Sequence, residues 1–422
     1  MKLLKSAIIP DAMNKGDAVP SNARPRACNP FAAKGTAAAT AMILMISGFL
    51  FSPPQLVAQQ TFEEFQAQQR EAFEEFSDLE REGMILDEVA FEEYRAEQQA
   101  LFEAFREEME RRWGDFRERT KTNWVEYRSG GTVRWDVDFE EGSVEVEVLA
   151  EEGDTEEILR EKIRESVVDL AESRGTRSEM PEDDEEIYEE PVLEGQLDLG
   201  DADDIAGLAQ RAAEEAQLES RNSEEVRQIL RVNLSLVPDH IRTRAEKFQK
   251  YLAENTGRYE QDPALILAII HTESYFNPVA RSHANALGLM QIVPNTAGRD
   301  VYRRLRNKDG IPSPDLLFDP NNNLLFGCTY YDILTNQYIR GVTSPRVLEY
   351  MAISAYNTGA GNVARAYTGN TNINRAVTIA NEMSPEENYN HLIENLPWEE
   401  TRDYLQKVTE RRASYREWLS AE

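Results

Sequence analysis

Glu273 closes an apolar run, "IIHTE", in a chain that is otherwise rich in solvated acids. Ile266, Ile269 and Ile270 precede it by seven, four and three residues, so on a helix they share its face. Burial against that face disfavours the charged carboxylate, and the negative end of a helix dipole repels it. Both effects raise a carboxyl pKa, and a carboxyl held protonated near neutral pH can serve as a general acid. The competing reading is a solvated Glu on a fraying last turn, the ordinary fate of a glutamate. Further along, "NALGLMQIVPNTA" (285–297) offers Gly288 for a close backbone approach to a ligand. It also offers Met290 as an adaptable apolar surface and Gln291 as both donor and acceptor. "AISAYNTGAGNV" ends a helix at Tyr356 and Asn357, with Gly359 and Gly361 in a loop beyond. "LPWEETRDYLQKV" sets Tyr404 one turn into a closing helix, within reach of a buried carboxyl. Met290 and Tyr356 also read as core, and Asn357 as a helix C-cap. His271 and His283 read as structural histidines.

The elements that position these groups are mostly helical. Asp262-Pro263, Asp319-Pro320, Ser344-Pro345 and Ser384-Pro385 each place a capping side chain before a Pro at the first helical position. Helices are expected over 240–256, 263–274, 294–306, 320–339, 345–356, 385–394 and 398–418. Upstream, Val133, Trp135, Val137 and Phe139 alternate with polar residues. Glu141-Gly142 then turns the chain into Val144, Val146 and Val148, which reads as a β-hairpin with one apolar face. That face needs a cover, supplied either by aromatic helices before it or by the helix "EEILREKIRESVVDLAE" after it. "FEEFQAQQREAFEEF" from Phe62 and "FEEYRAEQQALFEAF" from Phe91 repeat one aromatic stripe on an acidic helix. From Arg174 to about Arg231 the chain is acidic and poor in large apolar residues, and reads as a flexible linker. The organisation expected is therefore a signal peptide or N-terminal anchor at 1–58 and a small α/β domain at 59–175. An acidic linker at 176–235 and a compact α domain at 236–422 complete it.

With a net charge of −31 the chain is repelled by nucleic acid and by anionic lipid, which argues against both as partners. The two cysteines, Cys28 and Cys328, are too far apart in context to suggest a disulfide framework or metal spacing, so no cofactor and no metal is expected. Arg24, Arg26 and Lys34 precede the apolar run Ala37–Phe51, and a small-residue cleavage point follows at Ala58. This pattern reads as an export signal, with an uncleaved anchor as the alternative.

In their order, "ESYFNP", "GLMQ", "AYN" with its Gly-rich loop, and "ETRDYL" resemble the signature series of the soluble-lytic-transglycosylase domain, a relative of goose-type lysozyme, over residues 240–422. "REEMERRWGDF" and "KTNWVEYRSGGTVRWDVDFEEGSVEVEVL" resemble the N-terminal domain of the membrane-bound murein transglycosylase C group. The resemblance implies a mainly α, lysozyme-like catalytic domain behind a small α/β domain with an amphipathic helical segment and a β-hairpin. It further implies that the chain cleaves the β-1,4 bond between N-acetylmuramic acid and N-acetylglucosamine in peptidoglycan glycan strands. The product would carry a 1,6-anhydromuramic end, formed with a single catalytic carboxyl. Glu273 matches the acid and base. Ser274 would help orient it, while Met290, Gln291, Tyr356 and Asn357 match sugar-binding positions and Tyr404 matches the tyrosine that hydrogen-bonds the acid. The implied location is the Gram-negative periplasm, with association to the outer membrane. The group is typically anchored through a lipidated cysteine, whereas no cysteine stands just after the hydrophobic segment here, which leaves two states open: free in the periplasm, or held by an uncleaved N-terminal segment. A hydrolytic muramidase and a non-catalytic wall-binding protein are the alternatives.

Overall fold

The computed structural model describes residues 85–176, 188–222 and 226–421, all within one compact unit, Phe62–Glu422. The expected leader, the aromatic phrase starting at Phe62 and the acidic run 177–187 lie outside the described residues. The small domain contains β1 (Ile85–Leu86), α1 (Glu88–Trp113), β2 (Asn123–Arg128), β3 (Val133–Asp138), β4 (Ser143–Leu149), α2 (Glu156–Glu172), α3 (Ile205–Glu215), β5 (Gln217–Asn222) and β6 (Val226–Ser235). The helical domain follows with α4 (His240–Lys247), α5 (Gln249–Arg258), α6 (Pro263–Ser274), α7 (Arg299–Arg306), β7 (Ile311–Pro312), α8 (Pro314–Phe318) and α9 (Pro320–Ile333). It ends with α10 (Pro345–Thr358), α11 (Ala360–Thr368), α12 (Ile373–Asn381), α13 (Pro385–Asn395) and α14 (Glu399–Ala421).

The hairpin predicted from alternation is present as β3 and β4, paired Trp135 to Val146, but it is the middle of an antiparallel sheet ordered β2-β3-β4-β6-β5. One face carries Trp124, Trp135, Val137, Val146 and Leu230, and α2 and α3 cover it with Leu159, Ile163, Leu208 and Ala212. The other face, with Val125, Tyr127 and Ile229, is covered by Met109 and Trp113 of α1. In the second aromatic phrase Phe91 is buried, and Phe105 meets the Tyr127 ring edge-on at 5.3 Å.

The segment expected as a linker is largely ordered: residues 188–235 contribute α3 and two strands. The physical reason is visible in "VRQILRVNLS", where Leu230 and Val232 alternate toward the helix-covered face of the sheet while Ile229 faces α1. In α3, Leu208, Ala209, Ala212 and Ala213 form a narrow buried stripe of small residues. Acidic composition averaged over the segment conceals both patterns.

In the helical domain Asp262 accepts from the Ala264 amide, Asp319 from Asn322, and Ser384 forms a reciprocal capping box with Glu387. Ser344 makes no such side-chain bond. The helix expected over 240–256 breaks at Phe248, and that expected over 320–339 ends at Ile333 in a wider turn, Leu334–Tyr338. The Gly-rich stretch expected as a loop is a one-residue break at Gly359 (φ 82°) followed by α11. Val363, Ala364 and Tyr367 give α11 a buried stripe that outweighs Gly361.

α6 is the axis of this domain and packs chiefly on α14. Every residue from Ala264 to Ile270 is buried, and a fully buried isoleucine contributes about 2 kcal/mol through the hydrophobic effect. The helix ends abruptly: Tyr275 (φ 51°) and Phe276 (φ 59°) both adopt left-handed backbone, which costs non-glycine residues about 1 kcal/mol or more each. The small domain holds this turn in place. Buried Arg244 donates to the Tyr275 carbonyl at 2.9 Å, to Gln196 Oε1 at 2.9 Å and to the Phe139 carbonyl at 3.1 Å. The Tyr275 hydroxyl donates to Glu140 Oε1 at 2.5 Å, and its ring packs in the same core as the sheet.

Candidate active site

A cleft of about 670 Å³ opens at the C-terminal end of α6, within the range of about 300–1,000 Å³ usual for ligand sites. Glu273, Gln291, Tyr356 and Asn357 all line it, so residues spread over 85 positions converge on one cleft. Glu273 is only 8% exposed. Burial raises its pKa to about 7, against the pull of Tyr404 and of the Lys121 charge, with Glu400 adding a push upward. Around neutral pH the carboxyl is therefore poised between its protonated and ionised forms.

Tyr404 is buried behind the acid. Its hydroxyl meets no partner at full hydrogen-bond geometry, yet it lies close enough to Glu273 to lower that carboxyl's pKa by hydrogen bonding. Gln291 adopts φ 49°; its Nε2 donates to the carbonyls of Gly288 and Ala280 at 2.9 and 3.2 Å. Its buried Oε1 has no partner. Tyr356 donates its hydroxyl to the Met290 carbonyl at 2.9 Å. Asn357 Oδ1 accepts from the Thr401 hydroxyl at 2.8 Å, and it sits inside α10, whose C-cap is Gly359.

Three expectations are corrected. Met290 does not line the cleft: it is fully buried in the helical core, because its side chain fills the space left by Gly327. Ser274 is fully buried as well; its hydroxyl donates to the Leu289 carbonyl at 2.8 Å and ties the end of α6 to the Gln291 loop. At Gly288 (φ +70°) the close approach is to protein, since a Cβ there would fall 2.4 Å from Asn323 Nδ2. Asn323, which sequence reasoning missed, holds that loop by accepting from the Met290 amide at 2.7 Å and donating to the Leu287 carbonyl at 2.9 Å.

Sequence reasoning also missed Lys121, Tyr330, Trp398, Glu400 and Thr401 in the cleft wall. Trp398 and Glu400 lie inside the "LPWEETRDYL" phrase; Lys121 opens "KTNWVEYRSGG" in the other domain, and no local pattern connects it to Glu273. His271 is structural, as expected: burial and Arg411 press its pKa down to about 3, and its Nδ1 lies 3.0 Å from the Tyr415 hydroxyl. His283 is exposed beside Glu118. Two other acids of the helical domain are engaged elsewhere, Asp262 with Arg412 at 2.8 Å and Asp300 with Tyr338 at 3.0 Å. Among the described residues no group of histidines, cysteines and acids is arranged to hold a metal ion.

Residues 250–378, which carry Glu273, Gln291, Tyr356 and Asn357, match the family model Transglycosylase SLT domain. Over these residues the chain is similar to the SLT-domain transglycosylases. Residues 85–247 match the N-terminal domain of membrane-bound lytic murein transglycosylase C. The protein of that name from Mannheimia succiniciproducens is 42% identical over 200 residues, covering 47% of this chain and 55% of its own length. Its namesake from Klebsiella pneumoniae is 41% identical over 239 residues, covering 56% of this chain and 65% of its own. The chain thus spans 55 to 65% of the length of these relatives. Among solved structures, the 70 kDa soluble lytic transglycosylase of Escherichia coli aligns at a TM-score of 0.32 and 26% identity, covering 43% of this chain and 26% of that one. The SLT match ends before Trp398, Glu400 and Tyr404, so this chain's cleft is walled by residues of both matched segments and of α14.

Proposed function

We propose that the protein is a peptidoglycan lytic transglycosylase that cleaves the β-1,4 bond between N-acetylmuramic acid and N-acetylglucosamine. Glu273 acts twice. Protonated, it gives its proton to the glycosidic oxygen as the C1–O bond breaks, and the N-acetylglucosamine end leaves as an alcohol. Ionised, it then takes the proton of the muramyl C6 hydroxyl as that oxygen bonds to C1, which closes the 1,6-anhydro ring and restores the acid. One group that gives and then takes a proton works best with a pKa near the working pH; the observation that carries the reading is Glu273 itself, 8% exposed in the cleft wall, where burial pushes its pKa up to about 7. Tyr404 steadies the carboxylate between the two steps. Gln291, Tyr356 and Asn357 would bind the sugars; Ser274 and Met290 support them from behind the wall. The SLT-domain match over residues 250–378 and relatives named for murein cleavage support the same assignment.

Glu400 favours a second reading, hydrolysis, because it puts another carboxylate in the cleft wall. In a hydrolase it would activate water across the bond from the acid. Here it is largely exposed and lies 3.6 Å from Lys121. The deciding experiment is mass spectrometry of muropeptides released from purified peptidoglycan, with Glu273→Gln and Glu400→Gln in parallel. Anhydromuramyl products from the wild type and Glu400→Gln, and none from Glu273→Gln, support the transglycosylase. Reducing-end products mean a muramidase, and a Glu273→Gln variant that keeps its cellular function means a wall-binding role.

The relatives' names place them at a membrane, which supports a site of action in the cell envelope, in the periplasm beside the wall. Among the described residues no helix is long and apolar enough to cross a membrane. Attachment to a membrane through the N-terminus would rest on residues outside those described.

A further inference from the structure

Lys121 belongs to the small domain, in the segment just before β2, yet it lines the cleft with Glu273. Among the described residues it is the one cationic side chain in that wall. A chain of net charge −31 repels an anionic strand over most of its surface, so a lone positive group inside the cleft is where attraction is concentrated. Its charge already reaches the acid, lowering the Glu273 pKa.

Its present partner is weakly held. Glu400 stands in the first turn of α14 with 73% of its side chain exposed, and Lys121 is 43% exposed at a separation of 3.6 Å. An exposed pair of this kind is worth about 0–1 kcal/mol, so a carboxylate brought in by a bound strand can replace Glu400 at little cost. Two residues before Glu400, Trp398 shows 59% of its surface in the same wall. An exposed indole face suits the apolar face of a sugar ring, which would deliver an acidic substituent on that sugar toward the ammonium beside it.

We propose that Lys121 is a specificity-determining residue of the cleft, which binds a carboxylate carried by the muramyl residue of the strand in exchange for Glu400. The assignment rests on the transglycosylase reading above. Two sources supply this chemistry. On strands stripped of peptide it is the lactyl carboxylate of the sugar; on peptide-bearing strands the lactyl group is an amide, and the free carboxylates belong to the stem.

The test uses the full-length protein with Lys121→Met and Lys121→Arg, assayed on peptide-bearing and on stripped strands at low and high salt. Each variant is compared at its own pH optimum, because losing the Lys121 charge also raises the Glu273 pKa. The expected result is a KM about three- to tenfold higher for Lys121→Met with kcat within about twofold, and recovery of KM in Lys121→Arg. Salt should raise the wild-type KM modestly and leave that of Lys121→Met unchanged. An effect confined to stripped strands assigns the lactyl group, and one confined to peptide-bearing strands assigns the stem. An unchanged KM on both substrates overturns the proposal, as does a loss that arginine fails to restore. A wild type that releases no anhydromuramyl product defeats the functional reading instead, and that outcome is scored separately from KM.

Discussion

Glu147 in the sheet and Glu273 at the end of α6 are both buried carboxyls, 1% and 8% exposed, and their acidities move in opposite directions. Burial raises the pKa of each. At Glu147 the opposing cations win. Arg134 bonds it from Nε at 2.8 Å and Nη2 at 2.5 Å, Arg231 from Nη2 at 2.7 Å, and Arg117 adds its charge at 3.6 Å. Its pKa is lowered and it stays ionised. At Glu273 the opposition is one tyrosine hydroxyl and one half-exposed lysine, and the pKa rises to about 7. Depth alone therefore does not mark a proton-transfer group; depth without a paired cation does. The sheet uses its carboxyl as a fixed charge, and the cleft keeps its own available for exchange.

The largest expected effect breaks the cleft side of this comparison. Glu273→Gln should lower transglycosylase turnover by about 10²- to 10⁴-fold, the span expected for losing general acid–base catalysis, read by anhydromuramyl release. Its far-UV circular dichroism should match the wild type. On the sheet side, Glu147→Leu should leave turnover chemistry alone and damage the fold. It strands the fully buried Arg134, and removing one partner of a buried pair costs about 3–5 kcal/mol. Urea unfolding measures it. A loss below about 1 kcal/mol would mean that Asp115, 3.2 Å from Arg134, is enough of a partner.

What the sequence made legible follows the same division between local and long-range causes. Glu273 could be read because its desolvating neighbours, Ile266, Ile269 and Ile270, lie within two helical turns of it. The β3–β4 hairpin and α2 could be read because their periodicity is local. Met290 was misplaced since its burial depends on Gly327, nearly forty residues away, having no side chain. β5 and β6 were masked by the acidic composition around them, and α11 and α12 by Gly359, Gly361 and Gly369, of which Gly359 and Gly369 separate short helices without opening a long loop. Lys121 was invisible: its place beside Glu273 is produced by domain packing, through contacts such as Arg244 to Phe139, Gln196 and Tyr275. No window of sequence contains both sides of that arrangement.

A smaller effect sharpens the comparison through pH. Glu273 has its folded pKa raised from 4.5 to about 7, so the folded state binds its proton more tightly than the unfolded chain. Its contribution to stability is complete below pH 4.5 and is lost as pH rises through about 7. At about 1.4 kcal/mol per unit the loss is about 3 kcal/mol. Glutamine carries no such penalty, so the stability of Glu273→Gln relative to wild type should climb by about that amount between pH 4 and pH 8. Glu147, lowered instead, has the reverse sign: its contribution is present above the unfolded carboxyl pKa and is lost on acidification. Unfolding curves at four or five pH values separate the two. A pH-independent difference for Glu273→Gln would remove the desolvation argument at its root.

The finest test lies in the hydroxyl that restrains Glu273. Tyr404 is buried with its oxygen lacking a full partner, so Tyr404→Phe keeps the packing and should cost the fold less than about 1 kcal/mol. Because the hydroxyl favours the ionised acid, removing it should raise the Glu273 pKa further. Bond cleavage needs the protonated form, so the alkaline fall of kcat/KM should move to higher pH. At the same time the carboxylate formed after proton donation loses its support, and the plateau rate should drop about tenfold. The two changes have opposite consequences for activity above pH 7, where a higher fraction of protonated acid partly offsets a slower step. A purely structural tyrosine would lower the plateau and leave the limb where it stands. A limb displaced to lower pH would mean that the hydroxyl bonds the protonated acid rather than its conjugate base, and that Glu273 is held for donation alone.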